Sequence, residues 1–433
     1  MAYTAPTSCH DGYQLMNMNG YRCIACSTIQ AQNYDGFLCP VCDGNLDVIY
    51  NYHTVAKSID DNFHKGPNDI FRFAALLPIR QPRSAFPLRI GGTPLYKAQR
   101  LAESAGMRYV YLKDDTMNPS ASLKDRASAI AIGRAQDIGA GVISVASTGN
   151  AGSSLACLAA ASGLQAVVFV PASAPVAKLT QMLAYGARVF AVNGNYDDAY
   201  DLCLAASKEF GWFNRSTGYN AFTREGKKTC AYEIWQDLDG QVPDRVLVPT
   251  GDGNMLSAIW KGWCDLKAAG LIDRLPKIDC VQSEVSAAIC NTVRQVRSAD
   301  GLKTDWSKLV VEDVKASTLA DSISVDRPRD GLAAVKAVIQ SGGEAVTVAD
   351  KEILAAIPEI ASATGVFPEP AAAAPWAGLK KMVGKQTVDK DELVVCIVSG
   401  SGLKDVNNAR AVVGKPQLIE PSLEAVRECA LPS

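Results

Sequence analysis

Between residues 109 and 210, short unbroken apolar runs alternate with longer stretches whose apolar residues recur every three or four positions. The runs 109–113, 142–146, 166–170 and 188–192 predict strands, and 123–138, 151–161, 176–185 and 196–210 predict helices. The strand runs are apolar throughout rather than on alternate residues. That pattern suits a parallel sheet covered on both faces, and repeated strand–helix alternation describes an open, doubly wound α/β domain. A second series, 245–250, 278–282 and 393–398, predicts strands of another α/β domain, with loops at 326–330 and 341–343. Upstream, 51–89 is polar and punctuated by proline, a connector with short helices, and 46–50 predicts a strand.

At 433 residues the chain is too long for one ordinary core. The expected division is an N-terminal segment 1–50, a connector and first part of a large domain 51–104, a smaller α/β domain 105–215, and the rest of the large domain 216–433. Apolar residues make up 48% and charged residues 20%, a soluble globular composition. The net charge of −2 gives no reason to expect a nucleic acid or an anionic membrane as partner. No apolar run is long enough to span a bilayer; 371–376 is broken by Pro370 and Pro375 and follows Glu369. The first nineteen residues lack a basic region followed by an apolar one, so a secretory signal is not expected and the location expected is cytoplasmic.

Cys23, Cys26, Cys39 and Cys42 form two CxxC knuckles with twelve residues between them. Paired knuckles at this spacing let four thiolates converge tetrahedrally, as in a structural zinc ribbon. Arg22 is the only lysine or arginine before Lys57, which argues for a bracing role rather than nucleic-acid binding. Most of the remaining cysteines, among them Cys157, Cys203, Cys230 and Cys396, sit in apolar runs and read as small buried hydrophobes.

Four segments carry candidate chemistry. In residues 118–127, Lys124 follows a small-residue turn and opens a helix-periodic run. An amine near a helix N-terminus and another cation loses its proton more easily, and a neutral amine can form an imine with an aldehyde. Ser147, Thr148, Gly149 and Asn150 join a strand to a helix, where exposed amides bind anions such as an amino-acid carboxylate; a plain helix cap is the competing reading. Gly251, Asp252, Gly253, Asn254 and Met255 form a glycine-rich turn before a helix, able to wrap a phosphate with backbone N–H groups. The spacing is neither Walker nor GxGxxG, and Asp252 is awkward beside a phosphate unless its side chain turns away. Ser399, after the last strand, offers a neutral hydroxyl that would leave a pyridine ring weakly protonated.

Together these segments resemble the β-family (fold type II, tryptophan synthase β-like) of pyridoxal 5'-phosphate enzymes, and within it the threonine synthase family. The elements that carry the resemblance are 91–95, 118–126, 147–150, 194–199, 225–229 and 399–405, besides the paired CxxC knuckles. It covers nearly the whole chain and implies an α/β fold of two open domains with a small N-terminal zinc ribbon. Lys124 would bind the cofactor as an imine, Asn150 its ring oxygen, Gly251 to Met255 its phosphate, and Ser399 its ring nitrogen. Ser122, Ser147, Thr148 and Gly149 would bind the substrate.

The resemblance further implies a lyase of threonine biosynthesis, working as a homodimer on a small, phosphorylated amino acid. O-phospho-L-homoserine and water would give L-threonine and phosphate by γ-elimination and β-replacement. The alternative is a β-eliminase or β-replacement enzyme acting on serine, threonine or O-phosphoserine. A third reading is a zinc-ribbon binding protein on a degenerate enzyme scaffold. The chain departs from the family at Ala121, where a glycine is usual, and at Leu123, Ser399 and Ser401. An arginine that helps hold the substrate phosphate in relatives is Thr223 here, which leaves Arg215, Arg224 or Lys227 to take its place.

Overall fold

The computed structural model describes residues 17–59, 63, 66–80, 86–147, 149–174, 176–299 and 304–429. Strands β1 (Met18–Cys23), β2 (Ile29–Gln30) and β3 (Leu46–Tyr50) pair antiparallel in the order β2-β1-β3 and carry the cysteine knuckles. After a connector come β4 (Leu95–Lys97) and β5 (Tyr109–Asp114), then β6 (Val142–Ala146), β7 (Gln165–Pro171), β8 (Arg188–Val192) and β9 (Phe213–Asn214). The last strands are β10 (Arg245–Pro249), β11 (Lys277–Ser283), β12 (Ala345–Val348) and β13 (Leu393–Val398).

Two sheets form the body. The smaller runs β8-β7-β6-β9 and is parallel throughout. The larger runs β12-β11-β10-β13-β5-β4 and is parallel except for β4 at its edge. Helices cover both, as the unbroken apolar strands require: β10 and β13 are buried at every position.

One expectation is corrected. The alternation placed 109–113 in a smaller domain beginning at residue 105, but β5 pairs with β13 along its whole length, from Tyr109 against Leu393 to Asp114 against Val398. An apolar run says that both faces are covered, not which strand lies alongside. Lys113 in β5 is also tied to the larger unit, 3.0 Å from Glu233 and 2.9 Å from Asp237.

The helix Lys124–Asp137 packs on the helix Phe222–Lys227. Their approach depends on Gly226, since a Cβ there would stand 1.9 Å from the Arg126 carbonyl oxygen. This contact sets Lys124 and Lys227 side by side. Arg126 anchors the arrangement from beneath: its guanidinium, fully buried, meets Asp115 at 2.7 Å and Glu233 at 2.6 Å. Both carboxylates are satisfied by a fork of donors, which is what a buried ion pair needs to be tolerated. The helix Pro370–Gly384 keeps Pro370 in its first turn, where no N–H is missed, and Pro375 inside. No described helix is long and apolar enough to cross a membrane.

Candidate active site

A cleft of about 590 Å³ opens between the two sheets. Its wall takes residues from the carboxyl ends of β6 (Ser147), β9 (Arg215), β10 (Thr250) and β13 (Ser399), together with Lys124. Carboxyl ends of parallel strands are where open α/β sheets bind ligands.

Lys124 is half-buried at the start of its helix, whose first turn has no side-chain cap. The preceding residues are pinned to the end of β13: the Leu123 amide donates to Ser399 O at 2.9 Å, and Ser122 bridges to Gly400. Burial lowers the pKa of the Lys124 amine; Asp252 and Glu369 oppose that shift and Arg215 adds to it. The cations bearing on Lys124 are therefore Arg215 and the neighbouring Lys227. Arg126, near Lys124 in sequence, points into the Asp115–Glu233 network.

The glycine loop lies across the cleft. Gly253 has φ +91°, and a Cβ there would stand 2.8 Å from Asp330 O; one on Gly251 would stand 3.0 Å from Ile323 Cα. At Gly253 the chain follows this path only with glycine, and at Gly251 a side chain would crowd Ile323. Among the described residues the Gly251 and Gly253 amides have no protein acceptor, and the helix Asn254–Ala268 starts directly behind them. Asp252 resolves its own anomaly: Oδ1 accepts the Asn254 amide at 3.0 Å, turning the carboxylate into the loop's cap. The loop, the amine and the Ser399 hydroxyl at the end of β13 are a fitting set for pyridoxal phosphate: phosphate cradle, imine partner and neutral ring-nitrogen partner.

On the opposite wall, Ser147, Gly149 and Asn150 line the cleft, while Thr148 lies outside the described residues. Gly149 is the N-cap of the helix Asn150–Ala161, and no side chain among the described residues caps it, which leaves the helix's first amides available to an anion. Ser147 Oγ instead accepts the Gly149 amide at 3.2 Å. Asn150 Nδ2 donates to both carboxylate oxygens of Glu369, at 2.9 and 3.1 Å. Ser122 is placed differently from expectation: it is fully buried and does not line the cleft, and among the described residues its Oγ has no protein partner.

Of the three candidates for a substrate phosphate, Arg224 is committed elsewhere, 2.5 Å from Asp330 and 2.9 Å from Asp47. Arg215 and Lys227 line the cleft and, among the described residues, form no ion pair. Among the described residues the Arg215 side chain has one hydrogen bond, Nη2 to Ser128 Oγ at 3.2 Å; its buried Nε and Nη1 have none. Burial lowers its pKa to about 10. Lys227 Nζ donates to Asn254 Oδ1 at 2.6 Å, and burial, with Lys124 and Arg215 nearby, lowers its pKa to about 7. Asp252 opposes the lowering at both, but neither basic group has a direct ion pair among the described residues, and two such buried groups on one wall make a site for an anion. Glu369 escaped the sequence reading because nothing local marks it. Arg215 and Lys227 were visible only as candidates.

The four sulfurs of Cys23, Cys26, Cys39 and Cys42 lie within 4.8 Å of one another. Four thiolates so placed suit a closed tetrahedral zinc site, with no open position for catalysis.

Comparison with known proteins agrees with this geometry. Residues 87–400 match the family model described as pyridoxal-phosphate dependent enzyme. Threonine synthase of Methanosarcina acetivorans is 35% identical over 94% of this chain and 97% of its own. That of Methanocaldococcus jannaschii is 35% identical over 94% and 98%, and that of Mycobacterium leprae 34% over 79% and 90%. Among solved structures, threonine deaminase isoform 2 of Solanum lycopersicum superposes with a TM-score of 0.63 at 20% identity, covering 74% of this chain and 87% of that one. Maize serine racemase gives 0.62 at 18%, covering 74% and 91%. These last two share the fold. On the strength of the long matches at a third identity, and of a cleft with the expected lysine and glycine loop, the chain belongs to the threonine synthase family of pyridoxal-phosphate-dependent enzymes.

Proposed function

We propose that this enzyme converts O-phospho-L-homoserine and water into L-threonine and phosphate. The observation that carries the reading is a single cleft shared by an imine-forming lysine, open helix amides and two unpaired buried cations. That set matches a substrate with an amine, a carboxylate and a phosphate.

The open amides at the start of the helix Asn150–Ala161, with the Ser147 hydroxyl beside them, take the substrate carboxylate. Arg215 and Lys227 take the γ-phosphate and stabilise it as it leaves. Pyridoxal phosphate, when bound, supplies the electron withdrawal that makes the Cα–H and Cβ–H bonds of the amino acid acidic. Lys124, with its pKa lowered by burial, is the base placed to take the Cα proton. Asn150, fixed by Glu369, would hold the cofactor's ring oxygen, and Ser399 would serve its ring nitrogen as a neutral partner. The loop around Ser322 and Val325, which lines the cleft, limits the entry of bulk water. One water must still reach Cβ to complete threonine.

The reading extends to a structural zinc, supported by the four clustered cysteines, to a homodimer, supported by the family resemblance, and to a cytoplasmic location. The test is product analysis on cofactor-saturated protein offered O-phosphohomoserine, O-phosphoserine, serine and threonine. Threonine and phosphate in equal amounts from O-phosphohomoserine is the expected result. A 2-oxo acid, or product from O-phosphoserine alone, would replace it with the β-elimination or β-replacement reading.

A further inference from the structure

Asp330 sits where the cysteine ribbon meets the glycine loop. Its carboxylate is buried and fully used. Oδ1 accepts from Asn45 Nδ2 at 3.0 Å and from Arg224 Nη2 at 2.5 Å. Oδ2 accepts from Asn254 Nδ2 at 2.9 Å and from Ser257 Oγ at 2.8 Å. The Asp330 amide donates to Asp252 O at 2.9 Å, and Gly253 rests against its carbonyl. One residue thus holds both ends of the loop, at Asp252 and at Asn254.

Asn45 is equally embedded on the ribbon side. Its carbonyl accepts the amide of Ile24, inside the first knuckle, at 2.9 Å. Gly44, beside it, accepts the Cys39 amide and packs so closely that a Cβ would stand 3.0 Å from Cys23 Sγ. The Asn45 side chain spans from there to Arg329 O at 2.7 Å and to Asp330. A continuous path of direct contacts therefore runs from the sulfur cluster through Asn45 and Asp330 to the loop.

We propose that Asp330 is a positioning residue that couples the cysteine ribbon, through Asn45, to the loop that grips the cofactor's phosphate. The inference rests on the reading that residues 251–254 hold that phosphate. Removing a donor to a buried, shared carboxylate lets it shift toward its remaining partners, and a loop built on glycine has little stiffness of its own to resist. The ribbon then acts as more than a brace: its order sets how well the loop is formed before the cofactor arrives.

The experiment compares binding of pyridoxal phosphate and of pyridoxal, which lacks the phosphate, to the full chain freed of cofactor. It uses the wild-type protein, Asn45→Ala, Asn45→Asp and Asp330→Asn, with a thermal melt for each. The wild type should strongly prefer pyridoxal phosphate. Asn45→Ala should weaken pyridoxal phosphate binding about tenfold, the order expected for a lost hydrogen bond to a charged group, and leave pyridoxal unchanged. Asp330→Asn, which sets an amide against Asn254 and Arg224, should weaken it further. If Asp330→Asn does not fold, the two Asn45 variants carry the test. Equal loss for both cofactors, or a change in melting alone, would reduce the contact to a brace and overturn the proposal. A wild type that binds both alike would overturn the assignment of the loop, and the inference with it.

Discussion

The Asn150 amide lies between both oxygens of the Glu369 carboxylate, at 2.9 and 3.1 Å, across two different domains of the chain. Asn150 opens a helix of the smaller unit, and Glu369 precedes the helix Pro370–Gly384 of the larger one. The carboxylate is 2% exposed and also opposes the lowering of the Lys124 pKa. It therefore fixes Asn150 and tempers the amine at once. Glu369→Gln keeps the volume and removes the charge. A hydrogen bond to an ionised group contributes about 1.5–3 kcal/mol, so turnover should fall roughly ten- to a hundredfold. Cofactor occupancy, read from absorbance, should hold. Unchanged turnover would deny Glu369 this role.

Lys124→Ala tests the centre of the site directly. No other described lysine is on both the Ser399 strand end and the cleft. Turnover should drop by more than about a thousandfold, and the visible absorbance of bound cofactor should vanish. The thermal melt of the cofactor-free variant should stay near that of the cofactor-free wild type, because the side chain makes no hydrogen bond or ion pair among the described residues. Retained activity would refute the assignment.

Much of this was legible in the sequence because the signals were local. Residues 142–146 and 188–192 were readable as strands because nothing polar interrupts them, and Lys124 stood out because small residues crowd just ahead of it. Pairing is not local: the run at 109–113 carries no mark of lying against β13. Nor is the state of a cation. Arg215, Arg224 and Lys227 are alike in sequence, yet Arg224 is spent on Asp47 and Asp330 while the other two face the cleft. Burial is not local either: Ser122, two places from the key lysine, is fully buried and does not line the cleft.

Ala121 occupies the turn before Lys124 with φ +61°, in the left-handed region. A Cβ there costs roughly 1 kcal/mol relative to glycine, offset in part by the greater freedom of unfolded glycine. Its amide already donates to Asn118 O at 2.7 Å and its carbonyl accepts Ser401 N at 3.1 Å, so the turn itself is well held. Ala121→Gly should raise the melting temperature by a degree or two, on the order of ΔΔG divided by the unfolding entropy, and leave KM unchanged. A lower melting temperature would show that the strain is absent.

Removal of the ribbon's metal should be felt as lost stability. The ribbon is joined to the body by Lys261 to Asp47 at 3.1 Å and to Val48 O at 2.6 Å, besides Asn45. Purified protein should carry one zinc per chain, and a strong chelator should lower the melting temperature by several degrees, since binding to the native state adds to folding free energy. Cys39→Ser, at a buried ligand position, should reproduce the loss. A chain without zinc, or a melt indifferent to the chelator, would remove the metal from the account.

The pH response of the phosphate wall follows from Lys227, whose pKa burial lowers to about 7. Below that value the amine is an ammonium and attracts the leaving group; above it the charge is lost while Arg215, near 10, stays cationic. The substrate phosphate becomes a dianion above about pH 6. KM for O-phosphohomoserine should therefore be lowest between those values and climb as pH rises past 7. Bound phosphate draws the Lys227 pKa upward, so binding there should take up a proton. Lys227→Arg keeps the charge at all these pH values and should flatten the rise. Lys227→Met should raise KM about tenfold or more at pH 6.5, and by less at pH 9, where the wild type has already lost its charge. A KM for Lys227→Met that follows the wild-type pH curve would show that the phosphate does not meet this amine, and Arg215 alone would hold the site.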